Sequence, residues 1–181
     1  MIALSVGVYA KSVSGYMYET KKENGKYYKV DTNELYTGKV KMYYESERDH
    51  IEIKGKFKEK EGKKDFYSHL TLSVEVNVVD GIENGEYFAY YRSGKVKEKG
   101  FYKDGKIEGT VTQYYENGTV FATVNLKNGK KEGIYKYYNE NSIVTEKGNY
   151  KDNELDGKIY LYDEKGKLVK TIEFKGGVEV K

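Results

Sequence analysis

Gly85-Glu-Tyr-Phe-Ala-Tyr-Tyr-Arg-Ser-Gly-Lys-Val-Lys-Glu-Lys-Gly-Phe-Tyr-Lys-Asp-Gly-Lys-Ile-Glu108 is the first of four copies of one unit. The copies begin at Gly85, Gly109, Gly133 and Gly157, a spacing of 24 each time. Tyr90, Tyr114, Tyr138 and Tyr162 keep that spacing, as do Val96, Val120, Val144 and Leu168. Tyr102, Leu126, Tyr150 and Phe174 keep it too. A fixed period of this size marks a repeat array, and the fold follows from the repeat.

Inside a unit the period is two and there are two strands, roughly Glu86 to Tyr91 and Val96 to Tyr102. Helix is excluded by that period, by the β-branched and aromatic content and by the frequent glycines. The turns between the strands are Arg92-Ser93-Gly94-Lys95, Glu116-Asn117-Gly118-Thr119, Asn141-Ser142 and Lys165-Gly166. Asn-Gly between alternating runs predicts a two-residue type I′ hairpin loop, whose central residues both need positive φ. Setting Tyr91 opposite Val96 then puts Tyr87 opposite Gly100, Val111 opposite Val124, Tyr135 opposite Gly148 and Ile159 opposite Ile172. A large ring faces glycine twice and two aliphatic side chains face each other twice. Pair volume is conserved while its members change, which is the behaviour of a cross-strand packing unit.

Alternation places Tyr87, Ala89, Tyr91, Val96, Gly100 and Tyr102 on a buried face, continued by Val111, Val124 and Leu126. Phe88, Tyr90, Lys97, Lys99 and Phe101 fall on the other. Lys103-Asp-Gly-Lys-Ile-Glu-Gly109 and its counterparts are short enough to join antiparallel neighbours. The predicted architecture is all-β, an elongated, twisted single sheet of stacked antiparallel hairpins in one continuous array. Six units give about twelve strands, on the order of 55–60 Å across at ~4.8 Å per strand. So wide a sheet is expected to coil.

Outside the strict units the pattern loosens. Residues 1–24 read as a leader, 25–84 as divergent hairpin repeats and 85–181 as the four strict units with a C-terminal end. Tyr16-Met-Tyr18 and Tyr27-Tyr-Lys-Val30 are strand signals around the turn Asn24-Gly25. Gly38-Lys-Val-Lys-Met-Tyr-Tyr44 matches the opening of a unit, its turn runs from Glu45 to His50, and Gly55-Lys-Phe57 resumes the pattern. Leu70 to Val79 is the clearest strand and reads as a worn repeat. Met1 to Ala10 is apolar and closes on Val8-Tyr9-Ala10, which fits either an export-signal remnant or an ordinary first strand. The corresponding locations are the bacterial cytoplasm or an exported, periplasmic position.

Composition narrows the function classes. Lys and Arg total 32 against 29 Asp and Glu, a net charge of +3. That balance, evenly interleaved, argues against a nucleic-acid partner. Tyr supplies 21 residues and proline and cysteine none, so disulfide and thiolate chemistry is excluded. No apolar run approaches the ~20 residues of a membrane helix.

Gly100-Phe-Tyr-Lys-Asp-Gly-Lys-Ile-Glu-Gly-Thr-Val-Thr-Gln-Tyr-Tyr-Glu-Asn-Gly118 resembles a MORN repeat, in its bacterial variant form. The same core, an aromatic-Lys-Asp/Asn-Gly string running to a glycine four residues on, returns with leucine in the aromatic's place at Leu126 to Gly133 and, altered, at Tyr150 to Gly157. The resemblance covers 85–177 closely and 25–81 loosely. Ser142, Asn153 and Asn139 depart from the pattern. What it implies is an interaction module rather than an enzyme, with a protein or membrane-proximal partner. Some members carry the label of antitoxin.

Motifs for chemistry are weak. His50 with Glu47, Asp49 and Glu52 reads as a solvated turn rather than a metal site. Ser68-His69 lacks an orienting acid. Asp152-x-Glu154-x-Asp156-Gly157 with Asp163 imitates a calcium loop, yet sister units have plain turns there. No cofactor, metal or catalytic residue is expected. The candidate partner-binding residues are Phe88, Tyr90, Phe101, Tyr114 and Phe121, an aromatic set interleaved with lysines. Against a contact site stands self-packing of those rings within the sheet. The leading reading is a repeat protein that binds another protein through this face or through the sheet edge. The others are an antitoxin and an exported envelope protein binding glycan or lipid, at the membrane or cell wall. Edge-to-edge self-association is a further expectation.

Overall fold

The period glycines Gly85, Gly109, Gly133 and Gly157 have φ of +110°, +81°, +87° and +90°. Each marks a place where the chain leaves regular pleating in a left-handed conformation, which costs glycine nothing. Around Gly109 the strand breaks: Glu108 N–H donates to the Phe101 carbonyl at 2.9 Å, and pairing resumes only at Thr112 opposite Lys99. The repeat is therefore spelled in glycine because its strand must bulge there.

The computed structural model describes residues 20–29, 32–43 and 72–180. Its strands are β1 Thr20–Glu23, β2 Lys26–Lys29, β3 Gly38–Tyr43, β4 Leu72–Val79, β5 Ile82–Tyr90, β6 Val96–Lys103, β7 Lys106–Ile107 and β8 Gly109–Tyr114. They continue as β9 Val120–Lys127, β10 Lys130–Tyr138, β11 Val144–Lys151, β12 Glu154–Leu155, β13 Gly157–Tyr162, β14 Leu168–Lys175 and β15 Val178–Glu179. β3 to β15 form one antiparallel sheet in chain order, with the short β7 and β12 pairing off its path. The described residues contain no helix. The all-β hairpin array is what the period predicted. Gly55-Lys-Phe57, the turn from Glu45 to His50, and Met1 to Ala10 lie outside the described residues.

The pairing matches the sequence reading at the centre of each hairpin. Tyr87 faces Gly100, Val111 faces Val124, Tyr135 faces Gly148 and Ile159 faces Ile172. A Cβ added at Gly100 would lie 2.6 Å from Tyr87 Cε1, so the ring occupies the space a side chain would need. The row extends through Val76 opposite Tyr87 and Val40 opposite Val76. Tyr27 and Tyr36 pack against this end, making with Val40, Val76, Val78 and Tyr87 the principal buried cluster.

The predicted turn type needs correction. Type I′ loops join consecutive units instead of bisecting them. Asp104 and Gly105 have φ of +50° and +76°, Asn128 and Gly129 of +52° and +79°. They close two-residue loops between Lys103 and Lys106 and between Lys127 and Lys130. Each loop docks on the one before: Gly105 N–H donates to the Glu83 carbonyl and Gly129 N–H to the Ile107 carbonyl, both at 2.9 Å.

The mid-unit turns hold three residues. Tyr91 N–H donates to the Lys95 carbonyl at 2.8 Å and only Gly94, at φ +81°, is left-handed. This is a type I turn closed by a left-handed residue. Its extra residue is absorbed by a bulge, so Tyr90, and not Tyr91, faces Val96, while Ala89 faces Glu98. Lys97 is left unpaired, as are Phe121, Thr145 and Val169 in the later units.

The N-terminal hairpin turns at Asn24-Gly25, as its sequence suggests. Its first strand is Thr20–Glu23, turning at Asn24-Gly25 into Lys26–Lys29, and Tyr16 to Tyr18 lie outside the described residues.

Candidate interaction face

Each face of the array follows from the ladder. On the tyrosine face, the Tyr87 hydroxyl donates to Glu98 Oε1 at 2.8 Å, and Gln113 Nε2 donates to Glu98 Oε2 at 2.7 Å. Forty-eight residues on, the Tyr135 hydroxyl donates to Glu146 Oε1 at 2.7 Å. Tyr102 packs on Tyr87 with ring centroids 5.0 Å apart, and Tyr150 on Tyr135 at 4.7 Å. The intervening unit has Val111 and Ala122 where Tyr87 and Glu98 stand, so the tyrosine–carboxylate cluster appears in alternate units. Burial and the adjacent carboxylate push the Tyr87 hydroxyl far above its ordinary range, and burial with the Glu146 bond does the same to Tyr135.

Glu98 and Glu146 were not singled out from the sequence. Strict alternation from Val96 through Glu98 to Gly100 would have placed Glu98 beside Tyr87. A second omission is the carboxylate that ties each turn to the next. Glu108 Oε2 accepts from Asn128 N–H at 2.7 Å, Glu132 Oε2 from Asp152 N–H at 2.9 Å, and Asp156 Oδ1 from Gly176 N–H at 3.4 Å. These are one position of the repeat, 24 residues apart. Asp152 also pairs with Lys130 at 2.7 Å, a bond that holds its carboxyl below the usual range. Asp163 Oδ1 accepts from Lys165 N–H and Lys167 N–H in its own turn. The calcium-like spacing thus resolves into turn caps. Among the described residues no three His, Asp or Glu side chains converge as a metal site. His50, His69 and their neighbours lie outside the described residues.

The opposite face carries four of the five aromatic candidates. Phe88 and Tyr90 are neighbours, with centroids 6.4 Å apart. Phe101, which faces Glu86, is 44% exposed. Tyr114 lies beneath Lys99, whose ammonium is 5.6 Å from the ring centroid. Phe121 departs from the set. The bulge turns it onto the tyrosine face, where it meets Tyr115 at 5.1 Å and Tyr137 at 5.6 Å. Lys97, at the same repeat position, holds its ammonium 5.8 Å from the Tyr91 ring.

One row runs across this second face: Glu75 opposite Phe88, Phe88 opposite Lys99, Lys99 opposite Thr112, then Thr123, Lys136, Lys147, Tyr160 and Thr171. Beside it stand Tyr90, Tyr114, Tyr138 and Tyr162, one per unit. At its N-terminal end Glu75 is held by Lys39 at 2.7 Å and Lys41 at 3.3 Å. Partial burial works to raise the Glu75 carboxyl, but the two lysines outweigh it and bring it below the usual range.

The model of the MORN repeat variant matches residues 83–104, 107–128, 131–152 and 155–175. The array belongs to the MORN repeat family. The boundaries of the matches fall at the type I′ loops, so the family's unit runs from one such loop to the next. MORN repeats are generally protein- or membrane-interaction modules. No match was found among curated proteins. In this MORN array the tyrosine face carries the packing, and the lysine–aromatic face lies opposite it.

Proposed function

We propose that this MORN array is a non-enzymatic binding module whose partner is another protein, docked on the face that carries Phe88, Tyr90, Phe101 and Tyr114. The observation that carries the reading is the ladder itself. One uninterrupted row, with a tyrosine beside it in every unit, presents aromatic rings and ammonium groups on the side opposite the tyrosine–carboxylate clusters. Aromatic residues are enriched at protein contact surfaces, because a rigid ring buries large area at small entropic cost. Among the described residues of this face no nucleophile, base and orienting group stand within reach of one another, the arrangement that acyl or phosphoryl chemistry requires.

Affinity capture from the native organism tests this reading. The expected result is that Phe88→Ser with Phe101→Ser loses the partner retained by the unaltered chain, while Phe121→Ser, on the other face, keeps it. Retention of every partner by the Phe88/Phe101 variant would remove this face from the binding reaction.

A further inference from the structure

Lys99, Thr112, Thr123, Lys136, Lys147 and Tyr160 stand directly opposite one another in sequence across β6, β8, β9, β10, β11 and β13. Lys136 and Lys147 therefore face each other across one strand spacing, a like-charge pair of the kind that costs stability in a sheet. Some cations of this chain are neutralised: Lys39 and Lys41 share Glu75, Lys22 meets Glu83 and Lys130 meets Asp152. Neither Lys136 nor Lys147 nor Lys99 has a carboxylate partner among the described residues. Of the flanking positions, Tyr114, Tyr138, Asn125 and Asn149 carry no acid, and Glu86, beside Phe88, attracts Lys99 without forming an ion pair with it.

Two of the three ammonium groups also rest against rings. Lys147 lies 5.0 Å from the Tyr160 centroid and 5.5 Å from that of Tyr162, and Lys99 lies 5.6 Å from Tyr114. A cation resting on a ring keeps its charge and loses side-chain freedom before any ligand arrives. Adjacent strands are about 4.8 Å apart, so Lys136 and Lys147 can grip one carboxylate between them. Lys99 stands three strands from Lys136, on the order of 14 Å, which an extended peptide spans in about four residues at ~3.4 Å each. Four residues return a side chain to the same side of an extended chain.

We propose that this row docks an extended acidic segment of a protein partner, with one carboxylate between Lys136 and Lys147 and a second, four residues away, on Lys99. The proposal rests on the reading of this face as protein-binding and names the chemistry of the partner. An anionic lipid surface is the poorer fit, since three cations in a single file fall short of the four to eight clustered basic residues that hold a protein to such a surface.

The test is a fluorescence titration of the full chain with a labelled twelve-residue peptide of alternating Glu and Ser, beside vesicles of phosphatidylserine and phosphatidylcholine. The expected result is saturable peptide binding that weakens with salt and falls about tenfold in Lys136→Gln/Lys147→Gln, about 0.7 kcal/mol for each lost contact. Lys130→Gln, which alters a lysine already paired with Asp152, should leave it unchanged. Equal peptide binding by the double variant, with circular dichroism showing it folded, would overturn the proposal, as would binding of the vesicles in preference to the peptide. If the peptide fails to bind while the Phe88/Phe101 variant still loses its captured partner, the acidic chemistry falls and the protein-binding face stands.

Discussion

Tyr87→Ala is expected to destabilise the array by ~2–4 kcal/mol, the range for removing a buried aromatic side chain whose site collapses only in part. Tyr87 is 5% exposed, and its ring covers the backbone of Gly100 and packs at a tilt against Tyr102. Its loss would leave glycine opposite alanine, with nothing to fill the gap. The same change strips Glu98 of a hydrogen-bond donor, leaving Gln113 as its remaining side-chain partner. Tyr87→Phe separates the two effects. It keeps the ring and is expected to cost ~1–2 kcal/mol, the worth of a hydrogen bond to a charged acceptor. Urea denaturation at neutral pH measures both. A loss under about half a kcal/mol for Tyr87→Ala would mean that the ring is not the buried partner of Gly100, since surface changes fall within that limit.

The second large effect is alkaline. In the unfolded chain a tyrosine loses its proton near its ordinary value of 10.0, whereas folded Tyr87 and Tyr135 hold theirs well above it. The folded pKa is raised, so this stabilisation is complete below pH 10 and drains away as the pH climbs from there towards the folded value. Each tyrosine then costs about 1.4 kcal/mol per pH unit, and the two together remove about 2.5–3 kcal/mol between pH 9 and pH 11. Denaturant melts at those two values read the difference directly. In Tyr87→Phe/Tyr135→Phe the drop should shrink by that amount, which separates these hydroxyls from the lysines that titrate nearby. An equal drop in the variant would mean that the two hydroxyls ionise as they do in water.

Much of this was legible in the sequence because a 24-residue period leaves few registers open. Tyr87 over Gly100 and Tyr135 over Gly148 followed from counting, and the sizes of the paired side chains confirmed the count. The turns were harder to read. Asn117-Gly118 and Asn128-Gly129 are the same dipeptide, and nothing local tells which closes a two-residue loop. The structure makes Asn128-Gly129 the type I′ loop and folds Asn117-Gly118 into a three-residue one, with Asn117 Oδ1 accepting from Thr119 N–H at 2.9 Å.

That one extra residue is why Phe121 and Lys97 changed faces. Period-two reasoning has no means of seeing a bulge, because the bulge is a break in the period. Glu98 was overlooked for a different reason. A carboxylate in a lysine-rich strand reads as solvated until its ladder partner is known to be next to a tyrosine hydroxyl.

The register that sets Tyr87 over Gly100 underlies both faces, because it also aligns Phe88 with Lys99. A double-mutant cycle on Tyr87 and Gly100 tests it most directly. Gly100→Val should cost ~1–3 kcal/mol, because its Cβ would fall 2.6 Å from Tyr87 Cε1, an overpacked position. Tyr87→Val should cost ~2–4 kcal/mol through the gap it opens. The double variant reproduces the pair found at Val111 and Val124, and it is expected to lose at least ~1 kcal/mol less than the sum of the single changes. Additive losses would show that these two residues do not share one packing site, and the register would fall with them.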